Sequence, residues 1–323
     1  MTTNHDILGI HHVTAMTSSA EKNYQFFTEV LGMRLVKKTV NQDDIQTYHT
    51  FFADDRGNPG TDMTFFDFPN NPQGIKGNNS ITRTGFRVPS DKALDYWLER
   101  LTEFGVENEG ISETFGKQSL RFSDFDQQRY QLFSDEGETG VAPGIPWQNG
   151  PVPHEFGIVG LGPVELTVSY QTKMAYWLVD KLGYREVAEA GASKLYEVGE
   201  GGNGAQIIVV TDSESPSGQQ GYGEVHHLAI RVKDRAALTY WEQILDSEGL
   251  RHSGYVDRFY FKSLYVRIGH ILFEFATDGP GFMGDEPYET LGESLSLPPF
   301  LESQRTYIES AVRPFDTTRK DDK

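Results

Sequence analysis

An internal repeat is the feature of this 323-residue chain that most constrains its fold. The stretch Tyr24–Val30, followed by Leu-Gly-Met-Arg, matches the stretch Ala175–Lys181, followed by Leu-Gly-Tyr-Arg, at a distance of 151 residues. A second signature, Arg-Val, Tyr-Trp and then Gly, ends at Gly105 and again at Gly249, which lies 144 residues further on. Repetition of this kind indicates several copies of one supersecondary unit.

Each repeated unit has the pattern of a strand, an amphipathic helix and two or three further strands. In the first unit, residues 10–17, 33–40, 47–54 and 63–69 are predicted strands, and residues 19–32 form a helix that Gly32 closes. The other units begin near Ile81, Gly160 and Val225, with predicted helices at Asp91–Phe104, Gln171–Leu182 and Arg235–Ser247. The sequence therefore predicts an α+β fold of four similar units.

The order of these units along the chain predicts two pairs. Residues 7–136 contain the first pair and residues 157–312 the second, which ends in a docking helix. Residues 137–156, rich in Gly and Pro and without a sustained period, form the predicted linker. Residues 313–323 form a tail, which we expect to be solvated from Thr317 onward.

Charge and residue composition exclude several classes of partner and site. With 29 basic and 47 acidic residues, the net charge of −18 disfavours nucleic acid and anionic membranes as partners. The chain has no cysteine, so any metal must be held by nitrogen and oxygen ligands. The first nine residues lack the pattern of a signal peptide, and no apolar run is long enough to cross a bilayer. We therefore expect a cytoplasmic protein.

Two histidine pairs are the first candidates for chemistry. His11 and His12 lie at the start of the first unit, and His226 and His227 lie at the start of the fourth. Neighbouring side chains on a strand point to opposite faces, so one member of each pair should face the inside of a cup. A single strand histidine is usually structural, but two pairs at equivalent places favour a ligand role. Strand parity leaves open which member of each pair is the ligand.

A carboxylate in the last long strand would complete such a site. Glu274 stands among large apolar residues, where an unpaired charge is costly to bury. Metal binding would offset this cost, and so would an ion pair with Arg258 or Arg267. Two imidazoles and one carboxylate are typical of non-haem Fe(II) oxygenases. Mn(II) could occupy the same ligands, and Zn(II) is a third option.

A fourth ligand would point to different chemistry. Asp67, in Phe-Phe-Asp-Phe, has a context like that of Glu274, and two histidines with two carboxylates would suit a metal-dependent isomerase. The second and third units lack ligands, because Thr82-Arg83 and Pro163 stand at the positions of the histidines. The first and fourth units must then share one cup, unless His12 reaches a site on a second subunit.

Several motifs resemble a known family. They are GIHHVT, YHTFFADDRGNPGTDMTFFDFP, EVHHLAIRV, DRFYFKSLYVR and ILFEFATDGPGF. The chain resembles, over Ile7–Phe315, the ring-cleaving dioxygenases of the vicinal oxygen chelate (glyoxalase/bleomycin-resistance) superfamily. Within it, the resemblance is to the hydroquinone-cleaving, extradiol-type group related to 2,6-dichlorohydroquinone 1,2-dioxygenase. It implies four βαβββ modules in two cup-shaped mixed sheets with flanking helices, and an Fe(II) that opens a dihydroxy aromatic ring with O2.

The resemblance also implies roles for individual residues. The metal ligands would be His12, His227 and Glu274. The other residues of the site would be His11, Thr14, His226, Arg258 and Tyr265. Of these, Arg258 could stabilise developing negative charge, Tyr265 could orient the substrate hydroxyl, and either histidine could move protons. A turn shorter than in relatives holds His270 near the strand of Glu274.

Two other classes of function remain open at this stage. A glyoxalase-like isomerase or lyase would use Zn(II) or Ni(II) and no O2, and a small-molecule binding protein would hold its ligand without chemistry. The three-ligand set favours an enzyme. The sequence leaves open which substituents the aromatic substrate carries, whether the role is catabolism or detoxification, and whether the chain forms a homo-oligomer.

Overall fold

The computed structural model describes residues 5–319, and all four units in it are βαβββ modules. The first module comprises β1 (Ile10–Met16), α1 (Ala20–Gln25), β2 (Arg34–Asn41), β3 (Asp44–Ala53) and β4 (Asp62–Asp67). The second comprises β5 (Ser80–Val88), α2 (Asp91–Glu103), β6 (Asn108–Thr114), β7 (Lys117–Ser123) and β8 (Arg129–Ser134).

The second half of the chain repeats this pattern. The third module comprises β9 (Gly160–Val168), α3 (Gln171–Tyr176), β10 (Arg185–Ala190), β11 (Ser193–Glu197) and β12 (Gln206–Thr211). The fourth comprises β13 (Val225–Val232), α4 (Arg235–Ser247), β14 (His252–Asp257), β15 (Lys262–Ile268) and β16 (Ile271–Thr277). Short 3₁₀ turns at Phe282–Gly284, Tyr288–Thr290 and Pro299–Gln304 lead into α5 (Arg305–Ala311).

The modules form two eight-stranded sheets that do not follow the order of the chain. One sheet has the order β14-β15-β16-β13-β1-β4-β3-β2 and joins the fourth module to the first. The other has the order β10-β11-β12-β9-β5-β8-β7-β6 and joins the third to the second. The predicted α+β fold with two cup-shaped sheets is confirmed, as is the sharing of one cup by the first and fourth modules. Each sheet takes one module from each side of the predicted linker.

Helix ends follow the sequence signals in three modules and differ from the prediction in one respect. The side chains of Ser19, Ser90 and Asp234 cap α1, α2 and α4 by accepting a backbone N–H from the first turn. The helices of the first and third modules, predicted to be continuous, widen into π-helical turns at Phe26–Val30 and Trp177–Lys181. Such a bulge has no simple signal in hydrophobic periodicity.

Two layers of apolar side chains surround the first cup. The larger cluster packs the helices against the sheets and includes Phe273 and Phe275. A smaller cluster covers part of the inside of the cup. Its members are Val36, Phe51, Ala53, Ala229, Tyr260, Phe261, Ala276, Phe282 and Leu291. Of the aromatic residues around Glu274, Phe273 and Phe275 thus belong to the core.

The C-terminal segment packs against the first cup. The prediction of a solvated tail is wrong for Thr317, which is 2% exposed and donates its hydroxyl to the carbonyls of Gly292 and Glu293. The aromatic ring of Phe315 fixes this segment by packing against Tyr48. Residues 320–323 of the predicted tail lie outside the described residues. Among residues 5–319, no helix combines the length and the apolar character that a membrane span requires.

Candidate metal centre

Three buried side chains converge at the centre of the first sheet. His12 lies on β1, His227 on the neighbouring β13, and Glu274 on β16, which follows β13 in the sheet. Oε2 of Glu274 lies 3.0 Å from Nε2 of His12 and 3.0 Å from Nε2 of His227. Within residues 5–319, this is the one cluster of three or more His, Cys, Asp or Glu side chains whose ligand atoms all lie within 4.8 Å of each other.

Two β-bulges set the orientation of the histidine pairs. On β1, His11 is the extra residue between the pairs Ile10–Ile230 and His12–Ala229. On β13, His226 is the extra residue between Val225 and His227. A bulge rotates the side chains beside it, so simple alternation fails there. The prediction that the two members of a pair face opposite sides is therefore wrong for His226, which lines the same cavity as His227.

The hydrogen bonds of His11 determine which nitrogen of His12 is free. Nε2 of His11 lies 3.0 Å from the carbonyl oxygen of Thr277, which can only accept, so this nitrogen carries a proton. Burial lowers the pKa of His11 to about 3, so the ring is neutral and its Nδ1 accepts. Nδ1 of His12, 2.9 Å away, must donate. Nε2 of His12 then directs a lone pair at the cluster, as a metal ligand requires.

The second pair has the same arrangement. Nδ1 of His227 lies 2.8 Å from Nδ1 of His226. Burial lowers the pKa of His227, and it lowers that of His226 to about 3. If His227 presents Nε2 to the cluster, it donates from Nδ1 to His226. The Nε2 proton of His226 is then available to a group in the cavity.

Glu274 supplies the negative charge of the cluster. Burial alone would raise its pKa, but His12 and His227 hold the pKa well below the usual range, so the carboxylate is ionised. Oε1 accepts a short hydrogen bond from the hydroxyl of Ser263. Oε2 is fully buried and has no hydrogen-bond partner among residues 5–319.

The two 3.0 Å contacts of Oε2 thus bring three metal-binding atoms to one buried place, namely this carboxylate oxygen and the Nε2 atoms of His12 and His227. A carboxylate oxygen and imidazole lone pairs that converge in a buried place repel one another unless a cation, either a proton on an imidazole or a metal ion, lies between them. The donor set of two neutral imidazoles and one carboxylate suits a divalent transition metal.

A cavity of about 410 Å³ opens beside these three side chains. Its size is in the range of small-molecule sites. Five apolar side chains line part of its wall, namely Phe51, Phe66, Phe68, Phe261 and Leu272. Polar side chains stand among them, namely Thr39, Asn41, Gln42, Asp43, His49, His226, Arg258, Tyr260 and Tyr265. Such a cavity fits a small aromatic molecule with few polar groups.

Arg258 and Tyr265 stand together at the cavity. Nε of Arg258 donates to the hydroxyl of Tyr265 at 3.1 Å, and the ring of Tyr265 packs edge-on against His227. The guanidinium also binds both carboxylate oxygens of Asp43, at 3.1 and 2.7 Å. Phe259 follows Arg258 with a φ of 68°, a conformation that costs an aromatic residue energy and fixes the turn. Arg258 is thus tied to Asp43 on the opposite side of the cavity mouth.

Thr14 is the cross-strand partner of His227, but its hydroxyl bonds to β4 rather than to the cluster. It is buried and bonds to the hydroxyl of Thr64 at 2.7 Å, and Thr64 in turn lies 3.0 Å from Nε2 of His49. Thr14 pairs with Thr64 across β1 and β4 as Ala229 pairs with Glu274 across β13 and β16. Thr64 is therefore the counterpart of Glu274 in the first module.

Neither of the two additional candidates joins the cluster. Asp67 accepts the backbone N–H of Ala20 at 3.2 Å and lies 3.6 Å from Arg313, so it fastens α1 and the C-terminal segment. His270 is exposed on the turn between β15 and β16, where its N–H donates to the hydroxyl of Tyr170.

Sequence reasoning missed three residues that the structure brings to the site. Ser263 bonds to Glu274, Asp43 holds Arg258, and His49 lines the cavity with its pKa lowered well below the usual range by burial. His49 had one usable signal, because it stands two residues before Phe51 on the same strand and so shares its face. Asp43 lies in a turn and had no comparable signal.

The fold and the cluster together describe a chain of paired βαβββ modules with a two-histidine, one-carboxylate site in one cup. Residues 9–132 match the family described as Glyoxalase/Bleomycin resistance protein/Dioxygenase superfamily. The crystal structure of glyoxalase I from Zea mays, at 12% identity, shares the fold with a TM-score of 0.60 over 84% of this chain and 92% of that one.

Relatives of similar length give a closer placement. MhqA of Bacillus subtilis, which carries the provisional name ring-cleaving dioxygenase, is 45% identical over 95% of this chain and 98% of its own. The chlorohydroquinone/hydroquinone 1,2-dioxygenase of Sphingobium indicum is 31% identical over 91% and 92%. The crystal structure of a Bacillus subtilis protein provisionally named a dioxygenase has a TM-score of 0.89 at 36% identity, over 98% of this chain and 99% of that one. The chain belongs to the glyoxalase and dioxygenase superfamily, among its ring-cleaving dioxygenases, and is an enzyme.

Proposed function

We propose that this enzyme uses Fe(II) and O2 to open the ring of a hydroquinone or a related dihydroxy aromatic. The observation that carries the proposal is the convergence of His12, His227 and Glu274 on one buried place beside an aromatic-lined cavity. Bound there, iron would leave coordination positions for substrate and O2 and would pass electron density from one to the other.

The position of Thr64 favours oxygenase chemistry over the isomerase alternative. A glyoxalase-like site with a fourth protein ligand would need a carboxylate in the first module opposite Glu274. The counterpart of Glu274 is Thr64, whose hydroxyl is already bonded to Thr14 and close to His49. The three-ligand set is thereby left open on that side. Mn(II) would fit the same donor atoms.

We assign the remaining polar residues to two tasks, the positioning of other side chains and the handling of substrate. His11 holds the tautomer of His12, and Thr14 holds the hydroxyl of Thr64 in place. His226 holds a proton on Nε2 for transfer at the substrate. Arg258 and Tyr265 provide N–H and O–H donors where negative charge develops on a substrate oxygen. The phenylalanine walls exclude water.

Oxygen uptake tests this proposal. Protein purified without O2 and loaded with Fe(II) should consume O2 when hydroquinone is added, and the same protein loaded with Zn(II) should not. If the Fe(II)-loaded protein consumes no O2 with a panel of hydroquinones and catechols, the proposed function is wrong.

A further inference from the structure

We propose that Thr39 and His49 bind the second hydroxyl group of the substrate, opposite the hydroxyl at the metal centre, and thereby select 1,4-dihydroxy aromatics. This inference rests on the proposed function, since it takes the candidate metal centre as the place of the first hydroxyl. It concerns two residues on β2 and β3, away from the strands that carry the metal cluster.

Thr39 and His49 are direct cross-strand partners, so their side chains lie side by side on one face of the sheet. Both line the cavity that opens at His12, His227 and Glu274. The ring of His49 lies between Phe51 and Phe66, with ring centres 4.0 and 4.5 Å away. The two polar side chains thus form a small polar place in an aromatic wall.

The hydroxyl oxygen of Thr39 has no donor. Thr39 is 2% exposed, and its Oγ1 is buried without a hydrogen bond of normal geometry among residues 5–319. The nearby hydroxyl of Tyr260 donates to Asp285 at 3.0 Å, so toward Thr39 it can act only as an acceptor. A buried hydroxyl oxygen without a donor is costly, so its presence on a cavity wall points to a donor in the ligand.

His49 offers a second unused atom. Its Nε2 is engaged with Thr64 at 3.0 Å, and Thr64 is bonded to Thr14. Its Nδ1 forms no hydrogen bond with any residue that the structure describes. Both threonine hydroxyls can rotate, so the chain from Thr14 to His49 can supply or accept a proton at Nε2, and Nδ1 can either accept from or donate to a substrate hydroxyl.

The sheet places this polar pair further along the cavity than the cluster. On β4, which lies between β1 and β3, His12 pairs with Asp62 and His49 with Phe66, four residues further on. A ligand that has one hydroxyl at the cluster and extends along the cavity toward His49 needs its second hydroxyl on the opposite side of the ring. The adjacent hydroxyls of a catechol would both stay near the metal.

The test compares two ligands that differ in one group. Calorimetry without O2 measures the binding of hydroquinone and of 4-methylphenol, in which a methyl group replaces the second hydroxyl, to the Fe(II)-loaded full chain. We expect the wild type to prefer hydroquinone. Thr39→Val and His49→Phe should each reduce this preference about tenfold, mainly by weakening hydroquinone binding.

A matched substitution separates recognition from folding. Thr84, on β5 in the other sheet, also has a buried Oγ1 without a partner among residues 5–319. Thr39→Val and Thr84→Val should both keep or raise the melting temperature, because each removes an unsatisfied hydroxyl. Only Thr39→Val should lower the preference for hydroquinone.

The inference is overturned if Thr39→Val and His49→Phe retain the wild-type preference, or if they weaken both ligands equally. His49→Asn, which keeps a polar atom near the place of Nδ1, should retain more of the preference than His49→Phe. A different result would contradict the proposed function alone. In that case the wild type binds hydroquinone and the variants lose the preference for it, but the wild type consumes no O2.

Discussion

At the scale of single residues, metal binding depends on the charge of Glu274. Replacement by Gln keeps the size of the side chain and removes the charge that balances a divalent ion. We expect Glu274→Gln to lower the iron content of anaerobically loaded protein at least tenfold. We also expect Fe(II) to stop raising the melting temperature, since ligand-induced stabilisation requires binding.

Asp67→Asn is the matched control for this substitution, because Asp67 lies at the end of β4 and bonds to α1 rather than to the cluster. Its iron content, measured by mass spectrometry of the metal after dialysis, should equal that of the wild type. Retention of wild-type iron by Glu274→Gln would contradict the assignment of the ligand, and so would a loss of iron in Asp67→Asn.

The sequence could indicate the types of ligand but not every position. Histidine pairs at equivalent places and a glutamate in an apolar strand predicted the kind of cluster, but only the family resemblance indicated His12 and His227 within the pairs. The resemblance of Phe-Phe-Asp-Phe to Leu-Phe-Glu-Phe pointed to the wrong counterpart, Asp67. The structural counterpart is Thr64, which follows His12 by 52 residues, whereas Glu274 follows His227 by 47. Differences in loop length between modules hide such a relation from a single sequence.

At the scale of elements, two turns are joined across the cavity mouth. The turn between β2 and β3 carries Asp43, and the turn after β14 carries Arg258. Arg258 bonds simultaneously to Asp43 and Tyr265, which the single ammonium group of a lysine cannot do with the same geometry. We expect Arg258→Lys to lower kcat/KM for oxygen uptake at least tenfold.

The melting temperature should change little in this variant, because the side chain of Asp43 is 72% exposed and an exposed ion pair contributes about 1 kcal/mol or less. Arg267→Lys, at an exposed arginine that bonds to a turn carbonyl, is the control and should retain wild-type kinetics. Wild-type kcat/KM in Arg258→Lys would show that Arg258 has no part in substrate handling.

The turn between β7 and β8 carries a second testable carboxyl group. Burial raises the pKa of Asp124 from 3.8 to about 7, against the opposing effect of the hydrogen bond from the Gln128 N–H. Between about pH 4 and about pH 7, the folded state therefore keeps a proton on Asp124 that the unfolded state has released. The free energy of unfolding should fall as pH rises from about 4 to about 7, by a few kcal/mol, and stay level above.

Asp124→Asn should remove this part of the pH dependence and be more stable than the wild type at pH 8, as measured by urea denaturation at pH 5 and pH 8. Asp95→Asn, at an exposed position on α2, serves as the control and should keep the wild-type slope. An unchanged slope in Asp124→Asn would mean that this carboxyl group is not the source.

Regular elements were largely predictable from periodicity and caps. The helix at Arg235–Ser247 was predicted with the bounds that the structure shows, because Asp234 caps a stretch with clear amphipathic spacing. The bulges at His11 and His226 were not predictable, since a bulge depends on which strand pairs with which. These two bulges determine how the histidine pairs are presented.

At the scale of the whole molecule, the pairing of modules brings the site together. His12 and Glu274 are distant in sequence and belong to different halves of the chain, yet β1 and β13 are neighbours at the centre of one sheet. This pairing could be deduced from the ligands, because only a shared cup lets them meet. The packing of Phe315 and Thr317 could not, since a short polar segment gives no sign of a docking place in another module.

The proposed reaction opens an aromatic ring in the first cup with both atoms of O2. It is tested by the reaction of Fe(II)-loaded protein with hydroquinone under ¹⁸O₂, followed by mass spectrometry of the ring-opened product. We expect a product that contains two ¹⁸O atoms. A quinone without ¹⁸O, formed by simple oxidation of the substrate, would contradict it.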